Sequence, residues 1–432
     1  MQLASLIGHT QEVLTLIRDS NKPADSIIDS FFRTRRYLGS HDRRFIAEIS
    51  YGVLRHLRKC DSAVNRAAES SSLSAKDRFL LLVAAYLIEI EKRNDITPEL
   101  LEKHASNGLT RSRLDEILQV LAKNEEKQEN LGVRYSFQDW MLSRFIGKFG
   151  QTEAEELCKK LNEQAPITLR ANILKGTVDE CRTRLQKEGI ETEPVVGISN
   201  ALNLKKRVNV FGLKSFKNGL FEVQDAGSQL LPILIDPKPT AKVLDACAGA
   251  GGKTLQFAAL MKNRGEIIAT DINKYRIEEL RKRARRAGAF NIRPKHVNSL
   301  EELEKNYAKY FDVVFVDAPC TGVGTIRRNP GMKWSVSEEM VKELSEKQQQ
   351  ILKACAGLVK KGGRLVYATC SLFGEENERV IERFLRDTSG FSMKAQPNPL
   401  DAESTLSDFL YLLPHRHGTD GFFCSVLEKS TS

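Results

Sequence analysis

"AKVLDACAGAGGKT", residues 241–254, decides the fold. A short apolar run ends at the carboxylate of Asp245, small residues follow through Gly252, and Lys253-Thr254 opens a helical pattern. Strand, tight turn and helix form the first unit of an open α/β sheet. The alternation then repeats. "GEIIATDI" reads as a second strand and "NKYRIEELRKRARRAG" as its helix. "NIRPKHVN" reads as a third strand, "FDVVFVDAP" as a fourth, "VSEEMVKELSEKQQQILKACAGLVKKGG" as a long helix and "GRLVYATCS" as a fifth strand. Near-continuous apolar strands separated by helices predict a parallel sheet covered on both faces. Ligands of such sheets bind beyond the carboxyl ends of the strands, where strand order reverses.

Three readings compete for the glycine loop. A phosphate-binding loop needs glycine at 247, where Cys247 stands. A dinucleotide fingerprint beginning at Gly249 needs a third glycine at Thr254, and fails too. What remains is a carboxylate, a tight small-residue turn and a helix start. This brings backbone close to a nucleoside or amino-acid moiety, as in enzymes that use S-adenosyl-L-methionine. Asp271 ends the second strand, where an acid holds both ribose hydroxyls.

Cys320 follows the fourth strand and Cys370 follows the fifth. Adjacent parallel strands lie about 4.8 Å apart, so the two thiols can face one cleft. A buried cysteine often only fills space, but two at adjacent strand ends beside a cofactor loop suit chemistry. Carbon 5 of cytosine is a poor nucleophile. A thiolate adding to carbon 6 makes carbon 5 enamine-like and able to attack a sulfonium methyl. A carboxyl near the ring's N3 and amino group would stabilise the developing charge, a role for Asp317. Lys253 is a candidate for favouring the thiolate; its bland alternative is a solvent-facing helix lysine.

The rest of the 432 residues divides in two. Residues 1–130 read as helical, with apolar residues at three- and four-residue steps. Gly39-Ser40 breaks one helix, and Ser40 or Asp42 caps the next. The polar stretch "AKNEEKQEN" marks the boundary. Residues 131–240 read as a linker and small α+β subdomain, and 241–432 as the main α/β domain.

Net charge is +10, with clusters at Arg33, Arg35, Arg36, Arg43 and Arg44, at Arg281, Lys282, Arg283, Arg285 and Arg286, and at Arg327 and Arg328. A polyanion such as nucleic acid is the natural partner, with solvated helix faces the bland alternative. The eight cysteines form no CxxC pair, so neither a disulfide scaffold nor a structural metal is expected, and reduced thiols in a cytoplasm are. No apolar run approaches the roughly 20 residues that span a bilayer. The N-terminal stretch lacks a signal-peptide pattern, and nothing demands more than a monomer.

These residues together resemble the RsmB-type (Nop/Sun) family of RNA cytosine-carbon-5 methyltransferases. The matching motifs are "DACAGAGGKT", "ATDIN", "FDVVFVDAPCTGVGTIRRNP", "MKW", "LSEKQQQIL", "GGRLVYATCS" followed by "EEN", and "TDGFF". "VQDAGSQL" is similar to the segment that precedes the family's catalytic core. "LGSHDRRFIAEISYGVLR" resembles the NusB-like RNA-binding domain of its bacterial 16S rRNA branch. The resemblance implies a Rossmann-like class I core behind a small α+β insertion and an all-helical NusB-like domain. It also implies S-adenosyl-L-methionine as cofactor, RNA (16S rRNA) as partner and no metal. Cys370 matches the nucleophile and Cys320 the residue that releases product; DNA cytosine methyltransferases reverse these roles. Cofactor contacts carry over to Cys247, Ala248, Gly249, Ala250, Gly251, Gly252, Lys253, Asp271, Asn298 and Asp317.

Three positions depart from the family pattern. Ala250 replaces a proline, Asn298 stands where an aspartate is usual, and Gly331 follows "RRNP" in place of aspartate. Competing readings are a cytosine methyltransferase of tRNA or another RNA, methylation of an exocyclic amine, and a non-catalytic RNA-binding assembly factor. The amine enzymes want an aromatic residue where "DAPC" has none, and both cysteines, Asp317, Lys253 and Asp271 argue against a decayed site.

Overall fold

The computed structural model describes residues 1–432 except 21, 69–72, 124–129, 402–405 and 432. It separates into two compact units, Met1–Glu163 with Ile326–Val336, and Gln164–Thr325 with Ser337–Ser432. Of the stretch expected as a boundary, residues 124–129 lie outside the described set. No helix among the described residues is long and apolar enough to cross a membrane.

Among the described residues of the first unit, every regular element is a helix. In the helix Ser40–Arg55, Ile46, Ile49 and Val53 form the buried stripe that the three- and four-residue spacing predicts. Gly39 occupies the N-cap and its N–H donates to Asp42 at 3.1 Å, so Asp42, not Ser40, closes this helix start. Helices Asp139–Phe149 and Gln151–Leu161 bury Met141, Phe145, Leu157 and Leu161, which carries the helical unit past residue 130 to Glu163. Three arginines of the first basic cluster are paired: Arg33 with Asp29, Arg35 with Glu12 and Arg44 with Glu48.

Residues 326–336 belong to this helical unit although they follow the fourth core strand in sequence. Lys333 is fully buried and donates from Nζ to the carbonyls of Arg55 at 2.9 Å and Ser136 at 3.0 Å, and to Asn162 Oδ1. Its ammonium stands 3.9 Å from the Phe137 ring centre. Burial pushes this lysine well below the usual range. Trp334 Nε1 donates to the Leu54 carbonyl at 2.7 Å. A Cβ on Gly331 would lie 3.3 Å from that of Ala24, closer than ordinary packing.

Among the described residues, the second unit carries two large sheets and one two-stranded pair. Strands β1 (Thr168–Ala171), β2 (Thr192–Pro194), β3 (Ala201–Leu204) and β4 (Phe221–Val223) form an antiparallel sheet in the order β2-β3-β1-β4. The core strands are β5 (Lys242–Asp245), β6 (Glu266–Asp271), β7 (Ile292–His296), β8 (Phe311–Asp317) and β9 (Val359–Thr369). Then come β10 (Phe391–Met393), the separate pair β11 (Gln396–Pro397) and β12 (Leu406–Ser407), β13 (Leu410–Leu412) and β14 (Phe422–Lys429).

The core order is β10-β14-β9-β8-β5-β6-β7, with β5 through β9 parallel and β13 beside β14. Alternate strand residues face opposite layers, as the period of two requires. Val243, Ile267, Val313 and Phe315 pack with the helices Ala226–Ile235, Gly252–Leu260 and Lys274–Ala287. Leu244, Ile268, Val314 and Tyr367 pack with the helices Glu338–Ala356 and Glu378–Asp387. This is a Rossmann-like α/β core.

The antiparallel strands β10, β13 and β14 were not expected. "FFCSVL" in β14 is buried on both faces and reads like a parallel strand, while no helical crossover precedes it to reveal its direction.

Lys333→Met should lower the unfolding free energy by roughly 3 kcal/mol, because three buried acceptors lose their donor. Urea unfolding followed by fluorescence of Trp140 and Trp334, the chain's only tryptophans, reads this directly. An unchanged midpoint would contradict it.

Candidate active site

Strand order reverses at β5, whose neighbours are β6 and β8. Asp245 ends β5 almost fully buried and accepts the Thr254 hydroxyl at 2.6 Å. The chain then turns through Gly249 (φ 54°) and Gly251 (φ 86°) into the helix Gly252–Leu260. At Gly251 a Cβ would come within 2.7 Å of Leu280 Cγ, so both backbone sign and space demand glycine. Asp271, ending β6, accepts the Gly249 N–H at 2.9 Å and the Asn273 N–H at 2.7 Å. Asp317, ending β8, pairs with Lys253 Nζ at 2.6 Å. Burial works against the Lys253 charge, but Asp317 outweighs it and the lysine titrates above its ordinary range.

Beyond these strand ends lies a cavity of about 400 Å³, within the range of small-molecule pockets. Cys247, Asp271, Asn298 and Asp317 line it. Ala248, Gly249, Ala250, Gly251 and Gly252 do not line it but shape the turn at its edge. Asn298 is exposed and its amide donates to Glu302 at 3.2 Å. A further wall comes from Lys347, Gln350, Ile351 and Ala354 of the helix Glu338–Ala356. The sequence reading assigned them nothing, although their three- and four-residue spacing places them on one helix face.

The glycine turn is braced from outside. Arg283 donates to the Ala250 carbonyl at 2.9 Å and pairs with buried Glu222 of β4, as does Arg286. Arg170 of β1, also buried, donates to the Gly252 carbonyl at 2.5 Å. A loop lacking the family proline is thus held by two guanidinium groups. Two members of the second basic cluster are committed to this brace, and Arg281 and Lys282 pair with Glu278 and Glu279.

The site fits S-adenosylmethionine on this structure's own terms. Asp271 keeps acceptor sites beyond its two backbone donors. Beside it, Gly249 and Gly252 have open space where a side chain would stand, which leaves the turn accessible to a ligand.

Cys320 and Cys370 lie side by side, Sγ to Sγ 3.4 Å, both as free thiols. The register Asp317 to Ala368 between β8 and β9 sets their alignment. Past the cysteines, the Gly324 N–H donates to the Cys370 carbonyl at 2.9 Å and the Gly421 N–H to the Gly324 carbonyl at 2.8 Å. A Cβ on Gly324 would meet the Gly421 carbonyl, so "TDGFF" closes directly over the cysteine loops. The hydrogen bond to Cys370 and burial push the Cys320 thiol well up. Lys253 sits where a charge on Cys370 acts on it.

A family model described as 16S rRNA methyltransferase RsmB/F matches residues 232–428, and one for the ferredoxin-like domain of such methyltransferases matches 137–211. The "probable ribosomal RNA small subunit methyltransferase B" of Synechocystis sp. is 30% identical, the match covering 98% of this chain and all of that one. The ribosomal RNA small subunit methyltransferase B of Photorhabdus laumondii is 27% identical over 97% of each chain. The crystal structure of PH0851 superposes with a TM-score of 0.82 at 29% identity, covering 99% of both chains.

Two predictions arise from the charges around the glycine turn. Burial pushes Asp245 up to about 7, against the Thr254 hydrogen bond, whereas in the unfolded chain it titrates near 3.9. Between about pH 4 and 7 the folded state therefore keeps a proton that the unfolded state releases, and stability falls as pH rises through that window. Asp245→Asn should abolish this slope, on the order of 4 kcal/mol between pH 4 and 8. Urea titrations at several pH values measure it, and parallel profiles for both proteins would refute it. Arg283→Leu should weaken S-adenosylmethionine binding about tenfold by releasing the loop carbonyl. Calorimetry checks this, and an unaltered Kd would contradict it.

Proposed function

Since the chain belongs to the RsmB/F family of 16S rRNA methyltransferases, we propose that it methylates carbon 5 of a cytosine in 16S rRNA. The reaction runs through a covalent bond between Cys370 and the base. The observation that carries this reading is the pair of thiols 3.4 Å apart at adjacent strand ends, next to the Lys253–Asp317 ion pair.

In this reading the Cys370 thiolate adds to carbon 6 of the cytosine, and the displaced electron pair makes carbon 5 nucleophilic. Lys253 supplies positive charge on the Cys370 side, while the negative neighbour acting on Cys320 is Glu376. Cys320 is therefore the thiol that holds its proton and donates towards its neighbour. S-adenosylmethionine, held by Asp271 and the turn from Cys247 to Lys253, with Asn298 beside it, supplies an electrophilic methyl group. Asp317 approaches the N3 and amino edge of the base and offsets the charge that builds there. Transfer of the carbon 5 proton to solvent water then returns the electron pair. The carbon 6–sulfur bond breaks, and Cys370 leaves as thiolate. Cys320, next to that sulfur, serves the release step.

The helical unit, NusB-like in sequence, is the part we assign to RNA recognition. Arg36, exposed at the surface, is the member of its first cluster we assign to phosphate contact, since Arg33, Arg35 and Arg44 are in ion pairs and Arg43 donates to the Leu38 carbonyl at 2.9 Å.

With target RNA and S-adenosylmethionine, Cys320→Ala should accumulate a covalent protein–RNA adduct resistant to denaturing electrophoresis. Cys370→Ser should form none and lose methyl transfer by at least about a thousandfold. An adduct in the Cys370 variant would overturn the assignment, and bisulfite sequencing of rRNA from a deletion strain would locate the target.

A further inference from the structure

One buried carboxylate ties the two cysteine loops together. Glu376 lies in the short turn Gly374–Glu376 that follows β9, with no exposed surface. Its Oε1 accepts the Thr321 N–H at 2.8 Å and the Gln348 amide at 3.0 Å, and its Oε2 accepts the Thr321 and Ser371 hydroxyls. Thr321 follows Cys320 directly, and Ser371 follows Cys370. Gln348 also donates to the Pro319 carbonyl at 2.9 Å, so the residues on both sides of Cys320 lead to the same group.

The clamp is itself anchored. The Tyr367 hydroxyl donates to the Glu376 carbonyl at 2.6 Å, and the Asn377 amide to the Ser371 carbonyl at 3.0 Å. We propose that Glu376 is the positioning residue that keeps Cys320 and Cys370 in register, a role that rests on reading these thiols as the reacting pair.

The chemistry of the clamp separates this role from plain fold support. The four donors to the carboxylate are neutral. An ion buried among neutral donors is expensive to desolvate, and an amide of the same shape would satisfy packing. A carboxylate gives what an amide does not: acceptor sites for four donors on two oxygens, and negative charge on the Cys320 side. It holds both loops by hydrogen bonds that do not compete for either sulfur. The titratable groups facing the two thiols are Glu376 after β9, Tyr367 on β9 itself, Asp317 at the end of β8 and Lys253 on the glycine-loop helix.

Glu376→Gln and Thr321→Val, singly and together, test the clamp by two independent readouts. In single-turnover methylation of 16S rRNA, Glu376→Gln should slow the rate about a hundredfold, as expected for misplaced reacting groups. Its affinities for S-adenosylmethionine and RNA should stay within about threefold of wild type. Thr321→Val should slow it about tenfold, and the double variant should be no slower than Glu376→Gln alone, because both break one network.

The second readout needs no RNA and no methyl transfer. In the free enzyme, alkylation of Cys320 by iodoacetamide, followed by peptide mass spectrometry across pH, should move to lower pH in Glu376→Gln. Loss of the neighbouring charge makes that thiol easier to ionise. Thr321→Val keeps the charge and should leave the profile in place. Should Glu376→Gln misfold, Thr321→Val alone decides: a rate loss with intact affinities supports the clamp, and an unchanged rate overturns it. An unmoved alkylation profile in folded Glu376→Gln, or rate and affinities falling in parallel, also overturns it. If wild-type protein makes no 5-methylcytosine, the proposed function fails, while the alkylation profile still decides the clamp.

Discussion

Parallel pairing between β8 and β9 is the constraint on which the rest depends. Opposite Asp317 stands Ala368, and the Ala318 N–H donates to the Ala368 carbonyl at 2.8 Å. Both strands therefore end at the same edge, and the residues just past that edge meet. Cys320 arrives three residues beyond Asp317, and Cys370 two beyond Ala368. An antiparallel partner at this position would send its end to the far side of the sheet. The order reversal at β5 adds the glycine turn, so cofactor cavity, ion pair and thiols share one rim. Each reactive group is carried on a short loop from a rigid sheet, where positions can be held to a fraction of an ångström.

Around that rim the catalytic unit concentrates buried charge. Asp245, Arg170, Glu222 and Glu376 are all almost fully buried: Glu376 binds both cysteine loops, Arg170 and Asp245 bind the start of the helix after the glycine turn, and Glu222 holds the Arg283 that braces the turn. Stability alone would favour apolar residues in such places, since desolvation works against every buried ion. Their clustering at the carboxyl edge of the sheet follows from a need for fixed geometry. Lys333 obeys the same physics for another purpose: in the helical unit it ties the segment that leaves the cysteine loop to the helices Ser40–Arg55 and Gln151–Leu161.

Much of this was legible because parallel strands announce themselves. β5, β6 and β8 fall within the apolar runs read from sequence and end at Asp245, Asp271 and Asp317, while β7 falls within the mostly polar "NIRPKHVN". β9 begins earlier than its apolar run, at Val359, a start hidden in the sequence by the Lys-Lys-Gly-Gly that follows. Beside the small sheet, Thr177 caps the helix Val178–Lys187 and Gly189 follows with a left-handed backbone. β3 escaped notice because "ALNL" is too short to show a period.

The brace from Arg170 and Arg283, and the clamp at Glu376, were not legible. Apart from Ser371, five residues before Glu376, their partners lie 28 to 82 residues away in sequence, and no local spacing reports such contacts. The basic clusters were only half readable for the same reason. Composition gave their charge, but the carboxylates that pair with many of them become neighbours only on folding.

The central claim is that Cys370, not Cys320, bonds to carbon 6 of the target base. RNA carrying 5-fluorocytosine at the target tests it on the unmodified enzyme, because fluorine cannot leave as a proton does and the adduct persists. Peptide mass spectrometry of that adduct should place the nucleotide on Cys370. A nucleotide found on Cys320 would contradict the account.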